Sequence, residues 1–142
     1  DGEGLASRDL AIVENGVVKN VYVDTYYGRK AGMTPTTGGR SNLRWGHGTR
    51  DLSAIVADVP DAIYLTSWLG GNADATSGDF SFGLRGHAIT DGKVGGPIGE
   101  MNVTGNLVDL FASLVETGND PYQYSSTYAP TLVFEGVQFS GA

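Results

Sequence analysis

The stretch Ser77–Lys93 reads SGDFSFGLRGHAITDGK and carries the strongest fold signal in the chain. Phe80 and Phe82 alternate with Asp79 and Ser81, and such an alternation of apolar and polar residues has the period of a β-strand. The pattern predicts that both rings face a core, while the two polar side chains face solvent or border a cleft. The stretch also contains the residue types of an active site, so the two interpretations have to be separated.

A tight turn is predicted directly after this strand, at Asp91 and Gly92, because a two-residue hairpin turn favours residues that accept positive φ angles. The turn joins strands predicted over 79–90 and 93–104. The segment 62–71 is apolar and β-prone, and we expect a buried strand that stops at its two terminal glycines.

The N-terminal segment repeats the same turn chemistry. Asn15 and Gly16 stand between two β-branched runs, which predicts a hairpin of strands over 9–14 and 17–24. Each of the two hairpins leads toward a predicted helix. We therefore interpret them as an internal duplication of a β-β-α unit.

Three segments have the pattern of short helices. In 49–59 the apolar residues recur at i, i+3, i+4 and i+7, which places them on one helix face. A second helix is predicted over 106–117, and a third over 25–33 with Thr25 as its capping residue. The apolar run 131–141 predicts a last strand or hairpin. The expected fold class is α+β, a mainly antiparallel sheet with helices packed on one face, in a single domain.

Composition excludes several classes of function. The chain has 142 residues, a net charge of −7 and only nine Lys and Arg residues, so it is a poor match to a phosphate backbone and we expect no direct contact with nucleic acid. It has no Cys, which rules out disulfides and thiolate metal ligands within it. No apolar run approaches the roughly 20 residues of a membrane span, and we expect no membrane contact.

No catalytic or metal-binding motif is assembled in the sequence. His47 and His87 are far apart and neither lies at a spacing typical of zinc ligands, so loop or hydrogen-bonding roles are favoured for both. Ser81 and His87 lie on one predicted strand, where six positions span roughly 20 Å, too far for a catalytic pair. The residues alone indicate an α+β domain with no assembled catalytic motif, and a site that forms in space with Asp or Glu stays open.

Several stretches in order resemble one protein family. They are DGEG at the start, VVKNVYVDTYYGRKAGMTPTTG, RSNL, TSGDFSFGLRGHAITDGKVGGPI, VTGNLVDLFASLVETGND and APTLVFEGVQFSG. Together they resemble the C-terminal domain of the TldD/PmbA family, whose members are known as modulators of DNA gyrase and as peptide-maturation proteases. The likeness extends over nearly the whole chain, which we therefore expect to be the C-terminal domain, residues 1–142, of a longer protein.

The resemblance implies a cytoplasmic, two-subunit zinc peptidase. Its TldD-type subunit carries His-Glu-x-x-x-His upstream of the region seen here, and a late Cys supplies a further zinc ligand. The late loop of this chain, GNDPYQYSSTYAP, has no Cys, and TGNLVDLFASLVETGND is more similar to the PmbA type, also called TldE. The implied function is a non-catalytic PmbA-type domain, with no cofactor of its own and zinc in a TldD-like partner subunit.

The candidate binding residues are polar residues at glycine-rich turns. We predict that Arg40, Asn42, Asp79 and Ser81 contact a peptide substrate, for which an extended chain could add to a sheet edge through backbone hydrogen bonds. Two alternatives remain open. The domain could belong to a catalytic TldD-like subunit whose His-Glu-x-x-x-His lies upstream, or it could be a free-standing module that binds peptide or carbohydrate.

Overall fold

The fold is mixed α+β, as predicted, in a computed structural model that describes residues 1–141. The strands are β1 Val13–Glu14, β2 Val17–Val18, β3 Leu43–Arg44, β4 Asp61–Ala73, β5 Asp79–Thr90, β6 Lys93–Pro97, β7 Met101–Asn106, β8 Leu114–Thr117, β9 Thr127–Tyr128, β10 Leu132–Phe134 and β11 Phe139–Gly141. The helices are α1 Thr25–Ala31, α2 Leu52–Ala57 and α3 Leu107–Ala112. No helix in the described part of the chain has the length and hydropathy needed to cross a membrane.

The chain divides into two compact units, Asp1–Leu43 and a second that begins at Arg44. In the first unit the predicted hairpin is present but short, with strands of two residues each. Asn15 and Gly16 form its turn with φ angles of 51° and 76°, as the turn chemistry required. The prediction of a hairpin turn at this position is therefore confirmed, whereas the predicted strands over 9–14 and 17–24 are too long.

Helix α1 is capped one residue earlier than predicted. Asp24, not Thr25, is the N-cap, and its carboxylate accepts a hydrogen bond from Tyr27 N at 2.7 Å. Thr25 instead donates its hydroxyl to Glu3 Oε1 at 2.7 Å. Gly32 ends the helix in the left-handed conformation with φ 67°, which a residue without Cβ adopts at little cost.

An antiparallel five-stranded sheet dominates the second unit. Its main path is β11-β7-β5-β4, and β6 pairs with β5 as well. Asp91 and Gly92 form the predicted turn between β5 and β6, with φ angles of 48° and 73°. The sheet is built around β5, which pairs with three other strands.

The core lies on the inner face of this sheet. Phe80, Leu84 and Val103 are its buried members, and Leu84 has only 1% of its surface exposed. Phe82 packs against them, so the prediction that both rings face the core is confirmed. The partly buried residues that complete the cluster are Ile63, Leu65, Phe82, Ile98, Met101, Leu107, Leu110 and Val137. Through Leu107 and Leu110, helix α3 contributes to covering this inner face.

Two predicted strands have different bounds. The strand predicted over 62–71 runs from Asp61 to Ala73, and the prediction that it is buried is wrong, since residues 66–73 are exposed. Gly70 and Gly71 do not end it, and both adopt positive φ angles within the strand. The strand predicted over 93–104 is divided into β6 and β7 by a break after Pro97.

The C-terminal predictions are corrected by long-range pairing. The helix predicted over 106–117 ends at Ala112, since Leu114–Thr117 forms β8 and pairs with β10. The hairpin considered over 131–141 is absent from the described residues, because β10 pairs with β8 while β11 pairs with β7.

The predicted β-β-α duplication does not extend beyond the two turns. In the first unit the hairpin is followed by α1, whereas in the second unit β7 stands between the hairpin and α3. The shared feature is therefore the turn chemistry at Asn15-Gly16 and Asp91-Gly92, and not a common order of elements.

A set of charged side chains holds α2 against the C-terminal strands. Arg50 donates from Nε and Nη2 to the two carboxylate oxygens of Glu116 at 2.8 and 2.6 Å, and it also pairs with Asp58. The hydrogen bonds from Arg50 lower the pKa of Glu116. Asp120 accepts hydrogen bonds from Leu52 N, Thr131 N and Thr131 Oγ1 at 3.0, 2.9 and 2.8 Å.

Candidate functional site

The outer face of the central sheet carries the polar side chains of β5. Asp79, Ser81 and Arg85 are exposed, in alternation with the buried Phe80 and Leu84. This arrangement follows from the period of two in the sequence, which sends alternate side chains to opposite faces. Two of the four predicted binding residues, Asp79 and Ser81, therefore lie on one face of one strand.

A shallow groove runs across this outer face. Gly70 of β4 pairs with Gly83 of β5, and Gly83 pairs with Asn102 of β7. These three residues form one row across the sheet, and two of them have no side chain. Beside it, Ser81 pairs with Asn72. The resulting open cavity has a volume of about 380 Å³. Its lining residues are Leu69, Gly70, Gly71, Ser81, Gly83, Glu100, Met101 and Asn102.

Two glycines beside this groove leave little or no room for a side chain. A Cβ at Gly71 would overlap the carbonyl oxygen of Ser81, and the φ angle of Gly71 is 135°. A Cβ at Gly83 would come within 3.3 Å of Leu69 Cβ and 3.4 Å of Asn102 Oδ1. The floor of the groove is thus backbone, which allows another backbone to approach closely.

Asp79 is engaged in holding the local structure together. Its carboxylate accepts a hydrogen bond from Asn106 Nδ2 at 2.9 Å, and Asn106 Oδ1 in turn accepts one from Val108 N at 3.0 Å to cap α3. Hydrogen bonds from Asn106 and then Ser77 lower the pKa of Asp79. The site therefore presents a fixed carboxylate at the start of β5, next to the freer hydroxyl of Ser81.

Arg40 and Asn42 belong to the N-terminal unit. Both are exposed, and they lie in the segment that leads into β3. Their predicted role in binding peptide stays a prediction, as does that of Asp79 and Ser81.

The histidines and carboxylates do not form a zinc site. His87 Nδ1 lies 3.1 Å from the carbonyl oxygen of Gly95 on the adjacent strand, and His47 is exposed on a loop. Among residues 1–141, no group of three or more His, Asp or Glu side chains is close enough to share a metal ion. The described residues therefore offer no set of ligands for zinc, which the family resemblance places in the TldD-like partner subunit.

Sequence reasoning missed most of the groove. Gly70, Gly83 and Asn102 come from three strands, and only the sheet register brings them into one row. The signal available in the sequence was the glycine pair within the apolar run 62–71, which we expected to end a strand. In the structure the same pair opens the surface of a continuing strand.

Fold and site together define an α+β domain with a glycine-floored groove on the outer face of an antiparallel sheet. A family model described as the PmbA/TldA metallopeptidase C-terminal domain matches residues 1–141. The chain belongs to this family.

Curated relatives agree with this assignment. The chain is 29% identical to a protein named Metalloprotease PmbA homolog from Buchnera aphidicola subsp. Baizongia pistaciae, over 99% of this chain and 32% of the relative. It is 24% identical to one named Zinc metalloprotease TldD homolog from Saccharolobus solfataricus, over 84% of this chain and 30% of the relative. The chain spans about a third of the length of these relatives.

Solved structures show the same fold. A candidate modulator of DNA gyrase from Bacteroides thetaiotaomicron superposes with a TM-score of 0.93 at 46% identity, covering 100% of this chain and 32% of that protein. TldE from Thermococcus kodakarensis superposes with a TM-score of 0.87 at 22% identity, over 99% of this chain and 36% of that protein. The second likeness concerns the fold alone.

Proposed function

We propose that this chain is the non-catalytic C-terminal domain of a PmbA-type subunit in a two-subunit metallopeptidase. The proposal rests on two observations taken together, the family match and a missing residue type. Residues 1–141 match a metallopeptidase domain, yet the chain lacks the late Cys that the resemblance assigns to the catalytic TldD type. Under this proposal, a TldD-like partner holds the zinc and carries out peptide cleavage.

The comparisons support the PmbA type. Relatives named PmbA align over 99% of this chain, whereas those named TldD align over 84%. The late loop that follows Thr117 contains Tyr122 and Tyr124 but no Cys, in agreement with the resemblance to the non-catalytic type. A function in proteolysis and peptide maturation in the cytoplasm follows as part of the proposal.

The proposed role of the domain is to form one wall of a peptide-binding chamber. The groove on the outer face supports this role, because its floor is backbone and its rim offers Ser81 and Asn102 as hydrogen-bonding groups. Arg40, Asn42 and Asp79 remain part of the proposed contact set, although Asp79 already accepts a hydrogen bond from Asn106. The glycine floor leaves room for a peptide to lie across the groove, where Ser81 and Asn102 can hydrogen-bond to its backbone.

The net charge of −7 argues against a direct role on DNA. Some proteins of this fold are described as candidate modulators of DNA gyrase. We infer that any effect of this protein on gyrase is indirect and arises through proteolysis, and not through binding of DNA by this domain.

Co-expression tests the proposal. The full-length protein encoded by the gene is purified alone and together with the TldD-type subunit of the same genome, and zinc content and cleavage of an unfolded peptide are measured. We expect zinc and cleavage in the complex and neither in the protein alone. Zinc and cleavage in the protein alone would establish the catalytic TldD-like alternative. Failure to assemble, combined with specific binding of peptide or carbohydrate by the protein alone, would establish the free-standing module.

A further inference from the structure

Two turns of the chain have similar residues and φ angles but different surroundings. Asn15-Gly16 joins β1 to β2, Asp91-Gly92 joins β5 to β6, and the φ angles of all four residues lie between 48° and 76°. In such pairs the side-chain carbonyl carbon of Asn or Asp lies close along the chain to the backbone nitrogen of Gly. That nitrogen is open to approach, because Gly has no Cβ. The surroundings of each turn therefore decide whether the two groups react.

The turn at Asn15-Gly16 is not held by other parts of the chain. Both residues are exposed, and no atom lies within 4 Å of the position that a Cβ would take at Gly16. In the described part of the chain, Gly16 N donates to no backbone carbonyl. The nitrogen is therefore available as a nucleophile whenever the turn changes shape.

The hairpin that carries this turn is weakly held. Strands β1 and β2 have two residues each, and Val13, Val17 and Val18 are 56%, 54% and 65% exposed. Beyond this short ladder, Lys19 N donates to Ile12 O at 2.8 Å. A two-stranded hairpin without a packed face is only marginally stable in water, so the turn opens locally at a low cost in free energy.

The turn at Asp91-Gly92 is held from outside. Asp91 N donates to Pro60 O at 2.8 Å, and Gly92 N donates to Val59 O at 3.0 Å. A Cβ at Gly92 would come within 2.6 Å of Ala57 O, which shows how closely the segment after α2 packs against the turn. The turn also follows β5, a strand of 12 residues. Opening it would break these hydrogen bonds, and its glycine nitrogen is already engaged.

We propose that Asn15 is a site of spontaneous modification, at which the side-chain amide is converted to a carboxylate through a cyclic imide. Gly16 N attacks Asn15 Cγ, a bond forms between them, and the bond from Cγ to Nδ2 breaks. The proton of Gly16 N passes through solvent to the departing nitrogen, which leaves as ammonia. Water then opens the imide at either carbonyl, so the product is Asp or isoaspartate. No oxidation or reduction takes place.

The imide forms only when the turn opens. Gly16 N has to rotate toward Asn15 Cγ, away from the left-handed conformation that the closed turn imposes. When opening and closing are faster than the reaction, the rate follows the fraction of molecules in which the turn is open. Of the Asn residues in the chain, only Asn15 is followed by Gly, so the most reactive Asn pair lies in the weakly held hairpin.

The modification changes the hairpin that carries it. Isoaspartate adds a carbon to the main chain before Gly16, so the tight turn no longer fits the register in which Glu14 pairs with Val17. Both products also place a negative charge beside Glu14. The inference does not rest on the proposed function, since it requires neither a peptide nor a TldD-type subunit.

Peptide mapping of aged protein tests the inference. The full-length protein is incubated at mildly alkaline pH, which favours loss of the amide proton, and samples are digested with trypsin over several weeks. Cleavage after Lys and Arg gives the fragments 9–19 and 86–93, each of which contains one of the two turns. Mass spectrometry detects the replacement of –NH2 by –OH, and chromatography separates Asp from isoaspartate.

The matched control is Asp91→Asn, which places the same reactive pair in the held turn. Asn accepts a positive φ angle as readily as Asp, so this variant should keep the fold. In concentrated urea, position 15 and position 91 of the variant should react at rates within about twofold of each other, because no structure separates them. In the folded variant we expect position 15 to react at least about tenfold faster, since the hydrogen bonds to Val59 and Pro60 hold the other turn closed.

Three results would each overturn the inference. An intact Asn15 in the folded protein, under conditions where the urea sample reacts, would show that the full-length protein holds this turn closed. Equal rates at both turns of the folded variant would show that the contacts with residues 57–60 have no influence. Formation of Asp without isoaspartate would exclude the cyclic imide. None of these results bears on the proposed function, and failure to assemble with a TldD-type subunit would not affect the inference.

Discussion

Removal of the Asp120 carboxylate should destabilise the second unit by about 2 kcal/mol. Asp120 accepts three hydrogen bonds, from Leu52 N at the start of α2 and from the N–H and hydroxyl groups of Thr131 beside β10. Hydrogen bonds to charged groups contribute about 1.5–3 kcal/mol each when fully shielded, and loss of a helix-capping carboxylate costs about 1 kcal/mol. Because Asp120 is only partly buried, water replaces some of the lost hydrogen bonds. The expected loss in the free energy of unfolding is therefore smaller than the sum of the individual hydrogen-bond contributions.

The assay compares Asp120→Ala and Asp120→Asn with the wild-type protein in urea-induced unfolding. The amide keeps an acceptor oxygen but loses the charge, so Asp120→Asn should cost about half as much as Asp120→Ala. Glu135→Ala is the control, since this side chain is exposed, and it should change the free energy of unfolding by less than about 0.5 kcal/mol. An Asp120→Ala variant as stable as Glu135→Ala would refute the reasoning.

The effect also has a defined pH dependence. Partial burial raises the pKa of Asp120, but hydrogen bonds from Thr131 and Leu52 outweigh it and leave the pKa below its ordinary value of 3.8. A carboxyl with a lowered folded-state pKa stabilises the fold fully above its unfolded-state pKa and loses that contribution as pH falls through the folded-state value. The stability difference between wild type and Asp120→Asn should therefore be constant near neutral pH and shrink below about pH 3.8.

Three further changes have outcomes that the structure specifies. Asn106→Ala removes the main donor to Asp79, so the pKa of that carboxyl should rise toward its ordinary value in an NMR titration; an unchanged pKa would contradict the assigned hydrogen bond. Gly71→Ala should destabilise the protein by more than about 2 kcal/mol in thermal unfolding, and by clearly more than the control Gly70→Ala. Both positions have positive φ angles, but only Gly71 also lacks room for a Cβ. Ser81→Leu places a bulky side chain in the groove. In the two-subunit complex it should raise KM for an unfolded peptide severalfold with little change in kcat. An unchanged KM would show that the groove does not bind the peptide.

Local patterns were predicted well because their physical cause is local. Asn, Asp and Gly accept positive φ angles more readily than other residues, so the pairs Asn15-Gly16 and Asp91-Gly92 predict turns without reference to any distant segment. The placement of Phe80 and Phe82 on one face needs only the alternation of a strand.

Errors appeared where a distant segment competed with a local preference. The residues 114–117 continue a helical pattern in the sequence, yet they form β8, because pairing with β10 satisfies their backbone and covers them with a second strand. The cap of α1 is instead a local error, because Asp24, one residue before Thr25, is at least as good a capping residue and its carboxylate accepts the hydrogen bond from Tyr27 N. The strand partner of residues 114–117, in contrast, is not indicated by the residues next to them.

The sequence by itself determined the fold class, the two glycine turns, the inward face of β5 and the likeness to a metallopeptidase family. Each of these depends on neighbouring residues or on an ordered set of motifs. Only the tertiary structure decided that Gly70, Gly83 and Asn102 form one row, and that β4 is left at the edge of its sheet. Register and strand order arise from hydrogen bonds between segments far apart in the chain, so no local pattern specifies which surface stays open.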